Sequence, residues 1–413
     1  MTGTAASANG ATGAVHRRRL RRSDRAISPP ATMIIGTELR FTITTDSITG
    51  RRGDRRGGGL TWSALQVIAS MTMSTTRIGT IELGRTGEQV SSLALGAMQM
   101  GSATAEPEAV RILDRYHELG GSFVDTADCY EWWSRPGSRG GESEELLGRW
   151  MRDRGNRDEI FLATKGTALP EYSPDLWAAD GTADWDLARR TFAGAGADTL
   201  RHALDGSLRR LGTDHVDLYY VHVDDRATPL EETLEALAGL VSAGKVRHLG
   251  WSNVRTWRLE RIRQLCDRHG WPAPVAVQQQ HSYLRRRAGL SNASIVDDEQ
   301  LDYLTEHRDL TLVAYSPIVK GIYDDPARRA EHWMMESYAG PDADARLEAV
   351  TGLAAELGVT PNQLVLSWLL HRSEPPVLPL IGPRTPEQFE NLLPALDIKL
   401  DAGQLARLDQ AGA

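Results

Sequence analysis

Four side chains able to move a proton or hold a charge stand where short apolar runs end. Asp125 closes Phe123-Val124-Asp125 and leads into Thr126-Ala127-Asp128-Cys129-Tyr130. Lys165 closes Ala163-Thr164-Lys165, and His222 closes Tyr219-Tyr220-Val221-His222. A tyrosine has an ordinary pKa of about 10, too high for ready acid–base work at neutral pH. A cation beside it favours the phenolate and lowers that value. Lys165, held by Asp125, could supply the cation, and His222 could hydrogen-bond the same substrate oxygen. The set would then donate a proton to a carbonyl that receives a hydride. The plainer alternative is a buried Asp125–Lys165 ion pair beside a packed tyrosine and histidine.

Composition singles out one of the four. Among 47 basic residues only four are lysine: Lys165, Lys245, Lys320 and Lys399. Arginine cannot release a proton near neutral pH and is a planar fork, whereas lysine is a compact charge whose pKa can move. A chain this rich in arginine keeps lysine at position 165.

Strands and helices must bring these residues together. Short β-branched or apolar runs at Ser92–Met98, Phe123–Thr126, Ile160–Thr164, Val216–Val221, His248–Trp251, Val275–Gln278, Thr311–Ala314 and Val377–Leu380 predict strands. Helical patterns lie between them, near 106–120, 142–154, 198–211, 230–243, 255–270, 297–308 and 361–371. Glu231, Leu234, Leu237, Leu240 and Val241 keep one face at helical spacing. Gly120-Gly121, Gly212 and Gly244 follow helices where a left-handed C-cap is wanted. Asp214 and Thr360-Pro361 read as N-caps or starts. Eight strand–helix units fit one closed (β/α)8 TIM barrel, an α/β single domain. A doubly wound sheet would want Gly-x-Gly-x-x-Gly after its first strand. Leu95-Gly96-Ala97-Met98-Gln99-Met100-Gly101 lacks that spacing. In a barrel, chemistry sits at the carboxyl ends of the strands, where the four residues fall.

The net charge of −8 over 413 residues averages two unlike parts. Residues 1–72 carry 11 arginines against Asp24, Glu38, Asp46 and Asp54, and residues 73–413 carry a net −15. The first part, with Arg17-Arg18-Arg19, Arg21-Arg22 and the Arg51–Gly59 run, has almost no apolar periodicity and is expected to be a disordered basic extension. A nucleic-acid-binding arm, a transit peptide and a secretion signal are the functional alternatives, the last opposed by the lack of an apolar stretch after the arginines. The bland alternative is a tail without function, translation starting at Met71 or Met73. The barrel is expected over 73–413. Two cysteines, Cys129 and Cys266, exclude a disulfide scaffold or a multi-cysteine zinc site and suit a reducing cytosol. No apolar run is long enough for a membrane helix. A cytoplasmic enzyme without nucleic-acid or membrane partner is expected, its oligomeric state open.

The chain resembles the aldo-keto reductase superfamily over nearly all of residues 76–410. The matching motifs are Leu95-Gly96 with Met98, Asp125-Thr126-Ala127-x-x-Tyr130, Thr164-Lys165 and Asp217-Leu218-Tyr219-x-x-His222. They continue with Gly250-Trp251-Ser252-Asn253, Val277-Gln278, Ala314-Tyr315-Ser316-Pro317 and Gly382-Pro383-Arg384-Thr385-Pro386-Glu387-Gln388. Eight motifs in order, at barrel spacing, make the resemblance specific. It implies a (β/α)8 barrel, NADPH/NADP+ as cofactor, a small-molecule carbonyl substrate and Tyr130 as general acid. Asp125 and Lys165 would tune Tyr130, and His222 would orient the carbonyl. The resemblance also assigns Ser252, Asn253 and Gln278 to the nicotinamide carboxamide and Tyr315 to stacking on the ring. Ser316, Ile318 and Lys320 fall where the family's loop wraps the pyrophosphate.

Gly382 and Arg384 precede a helix expected to start near Thr385-Pro386. A helix N-terminus and an arginine both favour phosphate, so contact with an adenosine 2′-phosphate, and NADPH over NADH, is expected. Gln388 continues the family pattern. Asn391 then takes an acidic slot and Leu392 a slot usually holding asparagine, a departure at one adenine contact.

Three long segments follow strands: 131–141 with Trp132, Trp133 and Arg135, 167–197 with Tyr172, Trp177 and Trp185, and 321–342 with Tyr323, His332, Trp333 and Tyr338. Loops of this length tend to be functional. Their aromatic residues, Trp132 and Trp133 first, could line an apolar or sugar-stacking substrate pocket, or could be lid packing. Cys129, one residue before Tyr130, could give thiol sensitivity or be an inert buried cysteine. Two other functions share the same four residues. One is a cofactor-binding regulatory subunit resembling the potassium channel β subunits, and the other is a lyase using Lys165 as a Schiff base.

Overall fold

The structure, a computed structural model, describes residues 76–413, together with two three-residue strands, Thr32–Ile34 and Arg40–Thr42, that pair antiparallel. The expectations of disorder for the rest of 1–72, and of a start at Met71 or Met73, lie outside the described residues. In the larger unit eight parallel strands close a barrel. They are β1 (Ala94–Gly96), β2 (Phe123–Asp125), β3 (Phe161–Gly166), β4 (Val216–Val221), β5 (Val246–Ser252), β6 (Pro274–Gln280), β7 (Thr311–Tyr315) and β8 (Val377–Ile381). Each pairs with its sequence neighbours, and β8 pairs with β1. Helices α1 (Glu106–Glu118), α2 (Glu142–Arg154), α3 (Ala197–Leu211), α4 (Leu230–Ser242), α5 (Thr256–His269), α6 (Asp298–Glu306), α7 (Pro361–Leu370) and α8 (Pro386–Leu392) follow the successive strands. Further helices at Pro341–Leu357 and Ala402–Gln410 were not foreseen.

The helices bury one stripe each. On α4 the buried leucines are Leu230, Leu234, Leu237 and Leu240, with Glu231 turned outward rather than joining the face. Each such leucine contributes about 1.5–3 kcal/mol relative to exposure. α3 ends at Gly212, whose φ of 67° is the left-handed cap the sequence called for. Thr360 accepts from the Gln363 amide and Gln363 returns the bond, a reciprocal cap on α7. Asp214 caps no helix; it stands before β4 and bonds His215.

Period-two alternation decides what enters the barrel. Phe123, Phe161, Ala163, Leu218, Tyr220, Ala276, Val313 and Leu378 pack inside it. A hairpin, Thr80–Glu82 paired with Gln89–Ser91, adds Leu83 and Val90 to the same cluster. Its Gly84 amide donates to Thr311 Oγ1 at the start of β7, so it closes the amino-terminal mouth. Carrying the alternation to the other mouth brings Asp125 after Phe123, Lys165 after Ala163, His222 after Tyr220 and Gln278 after Ala276. The residues that fill the barrel thus set the direction of those at its top.

Candidate active site

Lys165 is fully buried and donates three hydrogen bonds: to Asp125 Oδ1, to the Thr126 carbonyl at 2.8 Å and to Tyr130 Oη at 3.0 Å. Asp125 accepts a second bond, on Oδ2, from Gln278 Nε2 at 2.8 Å. Burial pushes the Asp125 carboxyl up, and the Lys165 charge and these bonds pull against it. His222 meets Tyr130 edge to face, ring centroids 5.7 Å apart. Burial, then the Lys165 charge, holds its imidazole well below its usual value, so the ring is neutral.

Tyr130 departs from expectation. Its phenol lies well above 10, raised by burial and then by the Asp125 charge. The depression expected from Lys165 is absent because that cation is already paired with Asp125, which repels a phenolate in turn. Tyr130 is therefore a protonated phenol with an ammonium donating to its oxygen. That bond strengthens when the proton leaves, which is where a catalytic interaction has its effect.

One cavity of about 910 Å3 opens at the carboxyl mouth, and Asp125, Tyr130 and His222 line it. Lys165 reaches it only through Tyr130. Ser252, Asn253, Gln278, Tyr315, Ser316, Ile318, Lys320, Gly382, Arg384, Gln388 and Asn391 all line the same cavity. Several are already engaged. Asn253 Nδ2 donates to the His222 carbonyl at 2.8 Å and to Ser252 Oγ at 3.0 Å, and its Oδ1 accepts from Tyr315 Oη at 3.0 Å. Ser252 Oγ donates to the Gln278 carbonyl at 2.8 Å. Gln278 was assigned to a cofactor amide, yet its own amide here holds Asp125. Non-glycine residues with positive φ gather at the site: Glu131 at 75°, next to Tyr130, and Asn253 at 53°, Ser316 at 52° and Lys320 at 59° on the cavity wall. Such strain gathers where surrounding structure over-determines the backbone.

Three cations share one end of the cavity: Lys320, Arg384 and Arg328. Partial enclosure, then the charges of Arg384 and Arg328, hold the Lys320 ammonium below its usual value. Among the described residues none of the three is ion-paired with a carboxylate. α8 starts at Pro386 as expected, but with seven residues its macrodipole is slight, so the side chains carry the positive field. Asn391 and Leu392 both line the cavity, on the helix Pro386–Leu392.

At the opposite end the wall is aromatic. Trp133 meets Tyr130 at 6.2 Å and Trp185 at 5.3 Å. Trp132 lines the cavity but is 2% exposed, packed on Trp177 and Trp185. Met98, Phe192 and Val223 pack against the same aromatic cluster, and Trp333 also lines the cavity. Phe192 and Val223 carried no sequence signal, since only the bridge from Pro170 to Phe192 and the turn after β4 bring them there. Tyr323 and Tyr338 are not pocket residues: the first is buried beside Ser282, the second accepts from Gln280 Nε2.

This geometry coincides with the match of residues 92–413 to the aldo/keto reductase family. The chain belongs to that family. An uncharacterized oxidoreductase of Bacillus subtilis, YrpG, is 35% identical over 342 residues, covering 79% of this chain and 94% of that protein. The norsolorinic acid reductase stcV of Emericella nidulans is 32% identical, with 78% of each chain covered. The crystal structure of the thermostable aldo-keto reductase Tm1743 with the inhibitor epalrestat superposes with a TM-score of 0.59 at 26% identity, covering 80% of this chain and 99% of that one. As an aldo-keto reductase the chain is an oxidoreductase of carbonyl chemistry on a TIM barrel. Among its described residues no helix is long and apolar enough to cross a membrane.

Proposed function

We propose that this aldo-keto reductase is an NADPH-dependent reductase of aromatic aldehydes or ketones, with Tyr130 as the proton donor. The observation that carries the reading is Tyr130, hydrogen-bonded by Lys165, on the wall of a cavity that also holds Lys320, Arg328 and Arg384, none of them ion-paired with a carboxylate among the described residues, and tryptophans packed beside Tyr130. The cavity's size, its amide and hydroxyl groups beside Tyr130 and its distant cationic end fit a nicotinamide dinucleotide phosphate. When bound, that group supplies the hydride. Tyr130 gives its proton to the carbonyl oxygen, and Lys165 holds the phenolate that remains. His222, neutral, donates a hydrogen bond to the same oxygen. Ser252, Asn253 and Gln278 would hold the carboxamide, Tyr315 the ring face, and Ser316, Ile318 and Lys320 the pyrophosphate. Gly382, Arg384, Gln388 and Asn391 would hold the adenosine phosphate and base.

The decisive experiment follows NADPH absorbance with an aryl aldehyde. Sustained multiple turnover supports the enzyme; a single slow turnover with retained NADP+ would favour the regulatory-subunit reading. A Schiff base at Lys165 has little support, since its ammonium is buried and donates to three partners.

Two predictions belong here. Arg384→Ala is expected to weaken NADPH binding about 10–100-fold, the loss of a charge-assisted bond of about 1.5–3 kcal/mol. Binding of NADH should change little, and fluorescence titration with both cofactors checks this. Equal losses for the two would remove the 2′-phosphate assignment. Trp133→Ala is expected to raise KM for a bicyclic aryl aldehyde by about 2–10-fold, the scale of one aromatic contact. A short aliphatic aldehyde should be nearly unaffected. Parallel changes for both substrates would show that Trp133 supports the fold rather than the substrate.

A further inference from the structure

Cys129 does not enter the proton-transfer scheme, yet its thiol lies against it. Its Sγ is 3.4 Å from His222 Nδ1. Asp128, the residue before it, brings a carboxylate, and one ligand atom from each of the three lies within 4.8 Å of the others. A thiol–imidazole hydrogen bond accounts for the first pair and leaves Asp128 unexplained. Asp128 is 3% exposed, and its Oδ1 has no hydrogen-bond partner. A buried polar atom left unpaired is destabilising. Folds keep such atoms where an ion, a water or a function compensates them.

Sulfur, imidazole nitrogen and carboxylate oxygen form a donor set for borderline-soft divalent cations. A tetrahedral zinc with Zn–S of about 2.3 Å and Zn–N of about 2.0–2.1 Å separates sulfur from nitrogen by about 3.5 Å. The observed Sγ–Nδ1 separation needs almost no adjustment, while the Asp128 oxygen, within 4.8 Å of both, must close in on the ion. Cys129 and His222 both line the cavity, which gives an ion its path in and leaves a fourth coordination position toward it. Asp128 and Cys129 ride on the turn after β2 and His222 ends β4, so the barrel itself fixes their spacing.

We propose that Asp128, Cys129 and His222 form a binding site for a thiophilic divalent cation, Zn2+ being the type, and that its occupation blocks carbonyl reduction. Binding releases the Cys129 thiol proton and the proton of the buried Asp128 carboxyl to solvent and sets His222 Nδ1 on the metal. The ring is then held in place by the metal, and a divalent charge stands beside Tyr130, where it favours the phenolate and takes away the proton Tyr130 would donate. The inhibitory half rests on the proposed reductase function; the binding half does not.

The two halves are tested separately on tag-free full-length protein. Titration with Co2+ is expected to give one ion per chain, with a sulfur-to-cobalt charge-transfer band and the intense visible bands of a tetrahedral site. Both should vanish in Cys129→Ala, persist in Cys266→Ala, and require about 100-fold or more higher Co2+ in Asp128→Asn. No thiolate band in the parent protein, or one that survives Cys129→Ala, would overturn the site. Zn2+ should then suppress NADPH oxidation by the parent enzyme and not by Cys129→Ala, each rate being compared with that of the same protein free of metal. Equal inhibition of both proteins would overturn the inhibitory role even if the cobalt spectra stand. Absence of turnover in metal-free parent protein would count against the reductase function, leaving the cobalt result to decide the site.

Discussion

Tyr130→Phe is expected to lower turnover by about 10²–10⁴, the range of one positioned proton donor. The phenyl ring keeps its contacts with Trp133 and His222, so the cavity wall should stay intact. NADPH affinity should change by less than about twofold, because a hydroxyl near the carbonyl is remote from the phosphate contacts that dominate binding. Removing the hydroxyl also takes one acceptor from Lys165, which retains Asp125 and the Thr126 carbonyl. The fold should therefore survive. Single-turnover kinetics with pre-bound NADPH separates these effects, and turnover at the parental rate would end the assignment of Tyr130.

The barrel was legible because its signals are local. β4 spans Val216–Val221 and α2 spans 142–154, as read from the sequence. At the first strand a long-range bond moved the boundary. β1 was expected from Ser92 but begins at Ala94, because Tyr116 Oη donates to the Leu93 carbonyl and lies 2.7 Å from Ser91 Oγ. The helix at Pro341–Leu357 was hidden by Arg346, a charge on its buried face that donates to the carbonyls of Tyr283 and Ala411. An arginine in the apolar stripe breaks the periodicity by which a helix is read.

The site divides the same way. Tyr130 and the three residues around it stand at or just after strand ends in short motifs, so sequence alone could name them. Their electrostatics could not be read there. The Gln278–Asp125 bond joins residues 153 apart. Burial of Tyr130 reverses the pKa direction expected from Lys165 alone. Nor does the sequence announce that Arg328, on the short helix Pro326–Glu331, turns back to join Lys320 and Arg384.

Lys165→Met is expected to lower stability by about 3–5 kcal/mol, the cost of leaving one member of a buried ion pair alone. The deficit should depend on pH. Burial already raises the Asp125 carboxyl with Lys165 present. Without the lysine nothing strong opposes it, so the folded pKa lies above the unfolded value of about 3.9. A raised carboxyl pKa means the folded state holds the proton longer, so stability is lost as pH rises through it. The variant should therefore recover part of its deficit as pH falls from neutrality toward 4, which urea denaturation at several pH values would show. Adding Asp125→Asn removes the stranded charge and should restore most of the stability at pH 7. Here the plain alternative of a structural ion pair parts from the catalytic one. If Asp125 and Lys165 serve only the fold, the double variant recovers turnover with stability. If Lys165 holds the phenolate of Tyr130, the double variant is stable, binds NADPH and remains slow, because no buried cation meets the charge that forms when the proton leaves.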